Sequence, residues 1–278
     1  MAHSPYCYYE SMDDIVNLSD ALDVNSYGGK AAALAKLLKH DFKVPKGFVI
    51  NGSVGDELSD SALVSIKDYH TKLGAPYVAV RSSAVSEDGE NTSWAGQLET
   101  YLNVTSQELV EKIKQCRRSA RSARAKAYGA KNSAVPGETA VLVQEMIQPS
   151  VSGVAFSVHP VTQDSSVMVI ESVVGLGEAL VSGSVIPDTY FTSKTNHTVQ
   201  EFRAGKQSKK LSLHSDGQTV WSQITINEQP NLTPVEITEL TVLVSRLEEC
   251  FGHPVDVEWA QADGLFYVLQ CRPITTLG

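Results

Sequence analysis

The segment from residue 255 to residue 274, VDVEWAQADGLFYVLQCRPI, constrains the fold most, because its pattern is typical of a β-hairpin. We predict a turn at Ala262-Asp263-Gly264, in which the glycine takes the left-handed position of a three-residue loop. Side chains two positions apart share one face of a strand. With such a loop, four polar side chains gather on one face of the hairpin: Asp256, Glu258, Gln270 and Arg272.

These four side chains have the chemistry of a metal and phosphate site. Carboxylate and amide oxygens suit Mg²⁺, which binds one or two carboxylates together with substrate phosphates. An adjacent arginine suits a phosphate oxygen, because its planar donors match that group. Taken alone, the pattern fits an ion pair on an exposed sheet face about equally well.

The composition bounds the class of protein. With 278 residues, 42% hydrophobic and 20% charged, the chain can form one large domain or two lobes with substantial cores. A net charge of −9 weighs against a general surface for nucleic acids or acidic membranes. The four cysteines have no CxxC spacing and predict neither a zinc site nor disulfides. Because we recognise no signal peptide, we expect a cytoplasmic protein.

Helical and extended patterns together predict an α+β fold of two lobes. The predicted segments are helices at 28–40 and 106–128 and strands at 44–50, 140–146, 153–158 and 167–173. Thr233 begins the clearest helix, since Pro234 suits the first helical position and Glu236 completes a capping box. We place the boundary between the lobes so that residues 1–137 form the first and 138–278 the second.

Two positively charged side chains stand beside small residues in the first half of the chain. Lys30 follows a glycine pair at a helix start, where backbone amides can face an anion. Arg81 ends a strand-like run and is followed by the loop at 93–97, SWAGQ, whose small residues allow backbone N–H groups to approach phosphates. A solvated lysine and a polar surface loop are the alternatives.

Two further stretches allow more than one interpretation. Residues 144–147, QEMI, follow an apolar strand and could border a flat heterocycle between the lobes, although a buried strand end is the simpler interpretation. The helix at 112–126 is strongly basic, which fits a solvated face or a docking surface.

Taken together, these stretches resemble one family. The chain is similar nearly end to end to the ATP-grasp nucleotide-binding domain of phosphoenolpyruvate synthase, pyruvate phosphate dikinase and the related rifamycin phosphotransferases. The resemblance rests on YGGKAAALAKL, VRSSAVSEDGENTSWAGQLETYLNV, VLVQEMIQPSVSGVAFSVHP, GLGEALVSGSVIPDTY and FGHPVDVEWAQADGLFYVLQCRPIT. It implies a two-lobed α+β ATP-grasp fold, with ATP in the cleft between the lobes.

The resemblance also implies a role for each matching residue. Lys30 and Arg81 would contact the triphosphate, under a lid formed by Gly96 and the rest of the 93–97 loop, and Arg272 would neutralise the transferring phosphates. Glu258 and Gln270 would ligate Mg²⁺. The residues implied near the base and the rest of the nucleotide are Thr100, Tyr101, Gln144, Glu145, Met146 and Ile147.

The resemblance further implies a dikinase-like reaction with paired acceptors. In such relatives ATP gives its β-phosphoryl group to a histidine of a swivelling domain, leaving AMP and phosphate. We expect no such histidine domain within these 278 residues, so it would act in trans or belong to a longer parent chain. A stand-alone kinase or ligase that releases ADP, and a regulatory subunit that binds ATP without turnover, are the alternatives.

Overall fold

The computed structural model describes residues 14–54, 58–85, 100–128, 139–214, 217–225 and 229–274, with the backbone alone for 121–128. The helices are α1 (Val24–Lys39), α2 (Asp60–Leu73), α3 (Leu109–Tyr128), α4 (Glu178–Val181) and α5 (Pro234–Phe251). The first strands are β1 (Ile15–Asn17), β2 (Gly47–Ile50), β3 (Val78–Ser83), β4 (Thr100–Val104), β5 (Ala140–Glu145) and β6 (Val151–Phe156). They are followed by β7 (Val167–Val174), β8 (Asp188–Ser193), β9 (Val199–Arg203), β10 (Lys209–Leu213), β11 (Thr219–Gln223), β12 (Val255–Ala262) and β13 (Leu265–Pro273).

The first sheet is antiparallel and has the order β1-β2-β5-β3-β4. Its strands alternate between two buried faces, as the two-residue period of a strand requires. Val80 and Val143 pack with α2 and α3 on one side, whereas Leu142 packs with α1 on the other. The face toward α1 also carries the polar side chains that reach the second sheet.

The second sheet is antiparallel and has the order β13-β12-β6-β7-β8-β9. One face packs against α5 through large buried side chains, among them Trp259, Tyr190 and Met168. The opposite face carries Glu258 and turns toward the first sheet. Strands β10 and β11 form a separate two-stranded ribbon, which is attached to the end of β7 by a bridge between Gly175 and Leu211.

Helix α1 joins the two sheets into one molecule. Its buried residues Leu34 and Leu37 lie in the same core cluster as Leu142 of the first sheet and Val257 and Val268 of the second. Because one helix contributes to the cores of both sheets, their relative position depends on apolar burial as well as on the chain connection. The space beside α1 is the cleft between the sheets.

The ends of α5 confirm the signals predicted from its sequence. The Thr233 hydroxyl accepts from the N–H of Glu236, whose carboxylate accepts from the N–H of Thr233 at 2.7 Å, which completes the capping box. Gly252 ends the helix in the left-handed conformation, with φ of 76°.

The predicted boundary at 137/138 lies outside the described residues, as does the 93–97 loop with Gly96. The hydrogen bonding nevertheless assigns β5 to the first sheet, although our division placed that strand in the C-terminal lobe. The strand pairs with β2 on one edge and β3 on the other, so its backbone groups are satisfied there. The α+β class itself is confirmed. Among the described residues, no helix is long and apolar enough to cross a membrane.

The basic helix α3 is held largely by contacts within the protein where its side chains are described. Arg117 is buried and donates to the carbonyls of Val54 and Asn51, the latter at 2.8 Å. Arg118 forms an ion pair with Glu111 at 3.0 Å. The charge of Arg117 therefore belongs to the fold, whereas Arg118 stays on an exposed face, and a docking role for the helix stays a prediction.

Candidate functional site

A cleft of about 520 Å³ separates the two sheets. It brings together most of the side chains predicted for the site. Those that line it are Lys30, Arg81, Thr100, Gln144, Glu145, Met146, Ile147, Glu258, Gln270 and Arg272. The walls also include residues that the sequence did not single out, from β6 (Ser152, Gly153, Val154) and from the segment around α4 (Leu176, Gly177, Glu178).

The hairpin of β12 and β13 turns more tightly than predicted. Ala262 pairs directly with Leu265, so the loop has two residues, Asp263 and Gly264, and our three-residue loop is wrong. Both loop residues have positive φ, 51° and 72°. This geometry belongs to a two-residue turn whose twist matches that of the flanking strands, and Asp-Gly is a preferred sequence for it.

A β-bulge places the four polar side chains on one face of the hairpin, as the three-residue loop was expected to do. Pairing runs from Ala262 and Leu265 to Trp259 and Val268, then shifts by one residue so that Glu258 pairs with Gln270. Leu269 is the extra residue on β13. Without it, Glu258 would pair with Leu269 and Gln270 would point to the opposite face. The predicted patch of two carboxylates, an amide and a guanidinium on one face is therefore confirmed, for a different reason.

Arg81 crosses from the first sheet to this hairpin. Its Nη2 lies 2.7 Å from Oε1 of Gln270 and 3.2 Å from Oε2 of Glu258. Its Nη1 donates to the carbonyl oxygen of the bulged Leu269 at 2.8 Å. The Arg81 side chain is only 12% exposed, so this ion pair is partly desolvated. One guanidinium thus links β3 to the terminal hairpin.

A second arginine holds the neighbouring carboxylate. Arg272 donates from Nε at 2.9 Å and from Nη2 at 2.7 Å to the same oxygen of Asp256. Burial raises the pKa of Asp256, the charge and hydrogen bonds of Arg272 lower it, and the nearby charge of Glu258 raises it. The net direction is upward, because burial is the largest effect.

A close contact between Gly28 and Ser83, at the end of β3, positions Lys30 in the cleft. Gly28 has φ of 78°, and a Cβ there would lie 2.2 Å from the carbonyl oxygen of Ser83. The N–H of Ala31 donates to the Ser83 hydroxyl at 3.0 Å. Lys30 is 5% exposed and donates from Nζ to the carbonyl of Ser82 at 3.2 Å. The alternative of a lysine in solvent is therefore excluded.

Residues 144–147, which we call the linker, also lie in the cleft, and most of their described donors already form hydrogen bonds within the protein. Gln144 is buried and donates to the carbonyl of Pro45 at 3.4 Å. The N–H of Glu145 donates to Lys46 at 2.8 Å and that of Met146 to Tyr77 at 3.1 Å. These bonds fix the linker against the first sheet. Gln144 pairs with Ala79 of β3. Arg81 lies two residues further along the same strand, so its backbone is roughly 7 Å from that of Ala79.

Tyr101 is not where we predicted it. Thr100 pairs with Arg81 and shares its face toward the cleft, whereas the next residue of a strand points the other way. Tyr101 packs instead against the core beneath α2 and α3, with Nζ of Lys112 lying 4.7 Å from its ring centre. Two adjacent strand residues cannot both face one cleft, so Tyr101 does not line the site.

Glu171 of β7, which is not among the predicted site residues, lies on the same sheet face as Glu258, although it does not line the cleft. Glu171 of β7 pairs with Val154, which in turn pairs with Glu258, so the two glutamates share one sheet face. Burial raises the pKa of Glu171. Only the sheet order, with β6 between β12 and β7, reveals this relationship.

The donor set on the hairpin fits Mg²⁺ better than a transition metal. Within the described ranges, no group of three or more histidine, cysteine, aspartate or glutamate side chains could hold a metal ion on its own. Glu258 and Gln270 instead present a carboxylate and an amide oxygen toward one guanidinium nitrogen. Mg²⁺ characteristically takes few protein oxygens and completes its shell with water and substrate phosphates.

Comparison with known proteins places this site in a family. A family model described as the pyruvate phosphate dikinase AMP/ATP-binding domain matches residues 51–278. The uncharacterized phosphotransferase YvkC of Bacillus subtilis is 35% identical over 282 residues, which cover 90% of this chain and 33% of that protein. A probable phosphoenolpyruvate synthase of Archaeoglobus fulgidus is 36% identical over 312 residues, which cover 93% of this chain and 41% of that protein.

Among solved structures, D-alanyl-alanine synthetase A from Vibrio cholerae matches 93% of this chain and 59% of its own, with a TM-score of 0.42 and 11% identity. The chain spans less than half of the length of the two curated relatives named above. The family match covers most of the chain, including the hairpin, the linker and Arg81. The chain therefore belongs to the family of pyruvate phosphate dikinase AMP/ATP-binding domains.

Proposed function

We propose that this chain binds Mg·ATP in the cleft and passes a phosphoryl group to a histidine of a swivelling domain, in trans or in a longer parent chain. One observation carries the proposal. Two arginines, from different sheets, meet two carboxylates and an amide oxygen on a single hairpin face: Arg81 contacts Glu258 and Gln270, and Arg272 contacts Asp256. Phosphoryl transfer depends mainly on positioning and charge neutralisation, and this face offers both.

The linker is suited to the base. Of its three amides at 145–147, those of Glu145 and Met146 donate within the protein. Within the described part of the chain, the N–H of Ile147 has no such partner, so it is free to donate to a ring nitrogen. Apolar side chains from both sheets and from the segment before α4, namely Leu102, Val154 and Leu176, line the cleft and can cover a flat heterocycle. We therefore assign the linker to the adenine.

The hairpin is suited to the phosphates. Lys30, Arg81 and Arg272 are three cations that line one cleft with Glu258 and Gln270. We propose that Glu258 and Gln270 hold Mg²⁺, which when bound neutralises and orients the phosphate oxygens. Arg272 is oriented by Asp256 and lines the cleft, where its positive charge can face a phosphate. Lys30 adds a point charge from the turn at Gly28.

The acceptor is assigned from the family and from the length of the relatives. A probable phosphoenolpyruvate synthase of Archaeoglobus fulgidus extends well beyond the matched region, which is 41% of its length. We propose that the histidine which takes the phosphoryl group lies in such additional sequence. ATP, water and the histidine then yield AMP, inorganic phosphate and phosphohistidine.

The test is to incubate the purified chain with Mg·ATP, alone and with a histidine swivelling domain from a relative, and to separate the nucleotides. We expect AMP and phosphohistidine only with the added domain, and none when its histidine is replaced by alanine. ADP from the chain alone would contradict the proposal and favour a self-contained kinase. Tight ATP binding without turnover in either mixture would contradict transfer to that domain and favour a regulatory subunit.

A further inference from the structure

The guanidinium of Arg81 sits where the proposed metal ligands converge. Its Nη2 approaches Oε1 of Gln270 at 2.7 Å and Oε2 of Glu258 at 3.2 Å. These are the same oxygens that would bind Mg²⁺ at about 2.1 Å. A metal ion and a guanidinium cannot share both oxygens at such distances, since their like charges repel at short range.

Arg81 is anchored in this place without being fully satisfied. The carbonyl of Leu269, which the bulge turns toward the first sheet, accepts from Nη1 at 2.8 Å. The Nε of Arg81 is buried and has no hydrogen-bond partner among the described residues. A guanidinium with an unused donor gains from a partner that offers more acceptor oxygens, and a phosphate group offers three.

We propose that Arg81 and the divalent cation compete for Glu258 and Gln270, so that free metal binds weakly until a nucleotide draws Arg81 onto its phosphates. The inference rests on the proposed function and specifies how the same site is regulated. Nucleotide and metal then bind with positive coupling, and the coupling is reciprocal. Both ligands act on the position of Arg81, because its guanidinium can pair either with Glu258 and Gln270 or with the nucleotide phosphates.

The competition predicts an unusual direction for the effect of an Arg81 substitution on metal affinity. If Arg81 only contacted ATP, its removal would leave metal binding by the nucleotide-free protein unchanged. If Arg81 oriented the ligands, its removal would weaken metal binding. Competition for these oxygens predicts that removing a residue of the site strengthens metal binding.

The experiment titrates the nucleotide-free full chain with Mn²⁺, observed by electron paramagnetic resonance, in wild type, Arg81→Met and the control Arg118→Met. Arg118 forms an arginine–glutamate ion pair on α3 that is more than half exposed. We expect Arg81→Met to bind Mn²⁺ about tenfold more tightly than wild type, the scale of a charge-assisted hydrogen-bonded pair. The control variant should bind as wild type does.

Equal or weaker Mn²⁺ binding by folded Arg81→Met, or no measurable binding, overturns the inference. If circular dichroism shows that Arg81→Met does not fold, Arg81→Lys decides by the same comparison, because an ammonium lacks the forked donors. A separate titration of wild type with ATP in the presence of Mg²⁺ tests the proposed function. Absence of ATP binding there counts against the function, whereas ATP binding without the Mn²⁺ gain counts against the competition alone.

Discussion

Gln270 lies directly opposite Glu258 across the terminal hairpin because Leu269 bulges out of the ladder between them and the turn. The two-residue loop alone would have paired Glu258 with Leu269 and turned Gln270 toward the opposite face. The bulge also turns the Leu269 carbonyl toward Arg81, which reaches it at 2.8 Å. One extra residue thus sets both the proposed metal ligands and the position of the arginine.

Paired cysteine variants test this register. In a background in which Cys271 is replaced by alanine, the pair Glu258→Cys and Gln270→Cys should form a disulfide readily on mild oxidation, because their Cβ atoms face each other. The control pair, Glu258→Cys and Leu269→Cys, should not. Mass spectrometry of peptides from the oxidised protein distinguishes the two. Efficient linkage in the control pair would mean that the hairpin is regular and lacks the bulge.

Removing the carboxylate at 258 should separate metal binding from nucleotide binding. In Glu258→Gln, we expect metal-free ATP affinity to stay within about threefold of wild type, while the gain in affinity on adding Mg²⁺ falls by at least about tenfold. Calorimetric titration with and without Mg²⁺ measures both. Glu249→Gln, an exposed position on α5, is the matched control. An unchanged Mg²⁺ effect in Glu258→Gln would remove Glu258 from the metal site.

Two glycines with positive φ should respond differently to alanine, although Gly28, with ψ of 164°, lies outside the left-handed helical region that Gly74 occupies with ψ of 11°. Gly28 has φ of 78° and would place its Cβ 2.2 Å from the Ser83 carbonyl oxygen, whereas Gly74 has φ of 69° and nothing within 4 Å. Gly74→Ala should cost about 1 kcal/mol for the left-handed conformation. Gly28→Ala should cost at least about 2 kcal/mol more, because backbone must move, and it should weaken ATP binding by displacing Lys30.

Urea unfolding measures the loss of unfolding free energy in each alanine variant. ATP titration measures the loss of ATP affinity in Gly28→Ala. Equal losses in the two alanine variants would show that the contact between Gly28 and Ser83 relaxes without cost.

Tyr190 should make the stability depend on alkaline pH. Burial raises the pKa of its phenol to about 12 from an ordinary value of 10. The neutral phenol is therefore favoured in the folded protein, and this stabilisation is complete below pH 10 and is lost as the pH rises to 12. Over that window wild type should lose about 2 to 3 kcal/mol of unfolding free energy more than Tyr190→Phe.

Phe at this position keeps the ring but removes the ionisable group and its bond from the N–H of Leu232. Its stability is therefore lower at neutral pH, and the comparison concerns the change between pH 10 and 12. Parallel curves for the two proteins in chemical denaturation would show that Tyr190 does not titrate on unfolding.

Local sequence pattern determined many of the short-range structural features of this protein. The capping box at Thr233, the turn at Asp263-Gly264 and the strand alternation that gathers Asp256 with Glu258 are short-range features, which depend on backbone geometry over a few residues. The motifs carried the family resemblance, and the family match confirmed it. Most of the predicted site residues accordingly line one cleft.

The tertiary structure decided what local pattern leaves open. Thr100 and Tyr101 both carry a hydroxyl group, and only the pairing of β4 with β3 determines which of them faces the cleft. The bulge at Leu269 replaces the longer loop, because the tight turn and the core contacts of Cys271 are satisfied together only if one residue leaves the ladder. The contacts of Arg81 with Glu258 and Gln270 join residues 177 and 189 positions apart, a relationship fixed by packing around α1 and by no nearby residue.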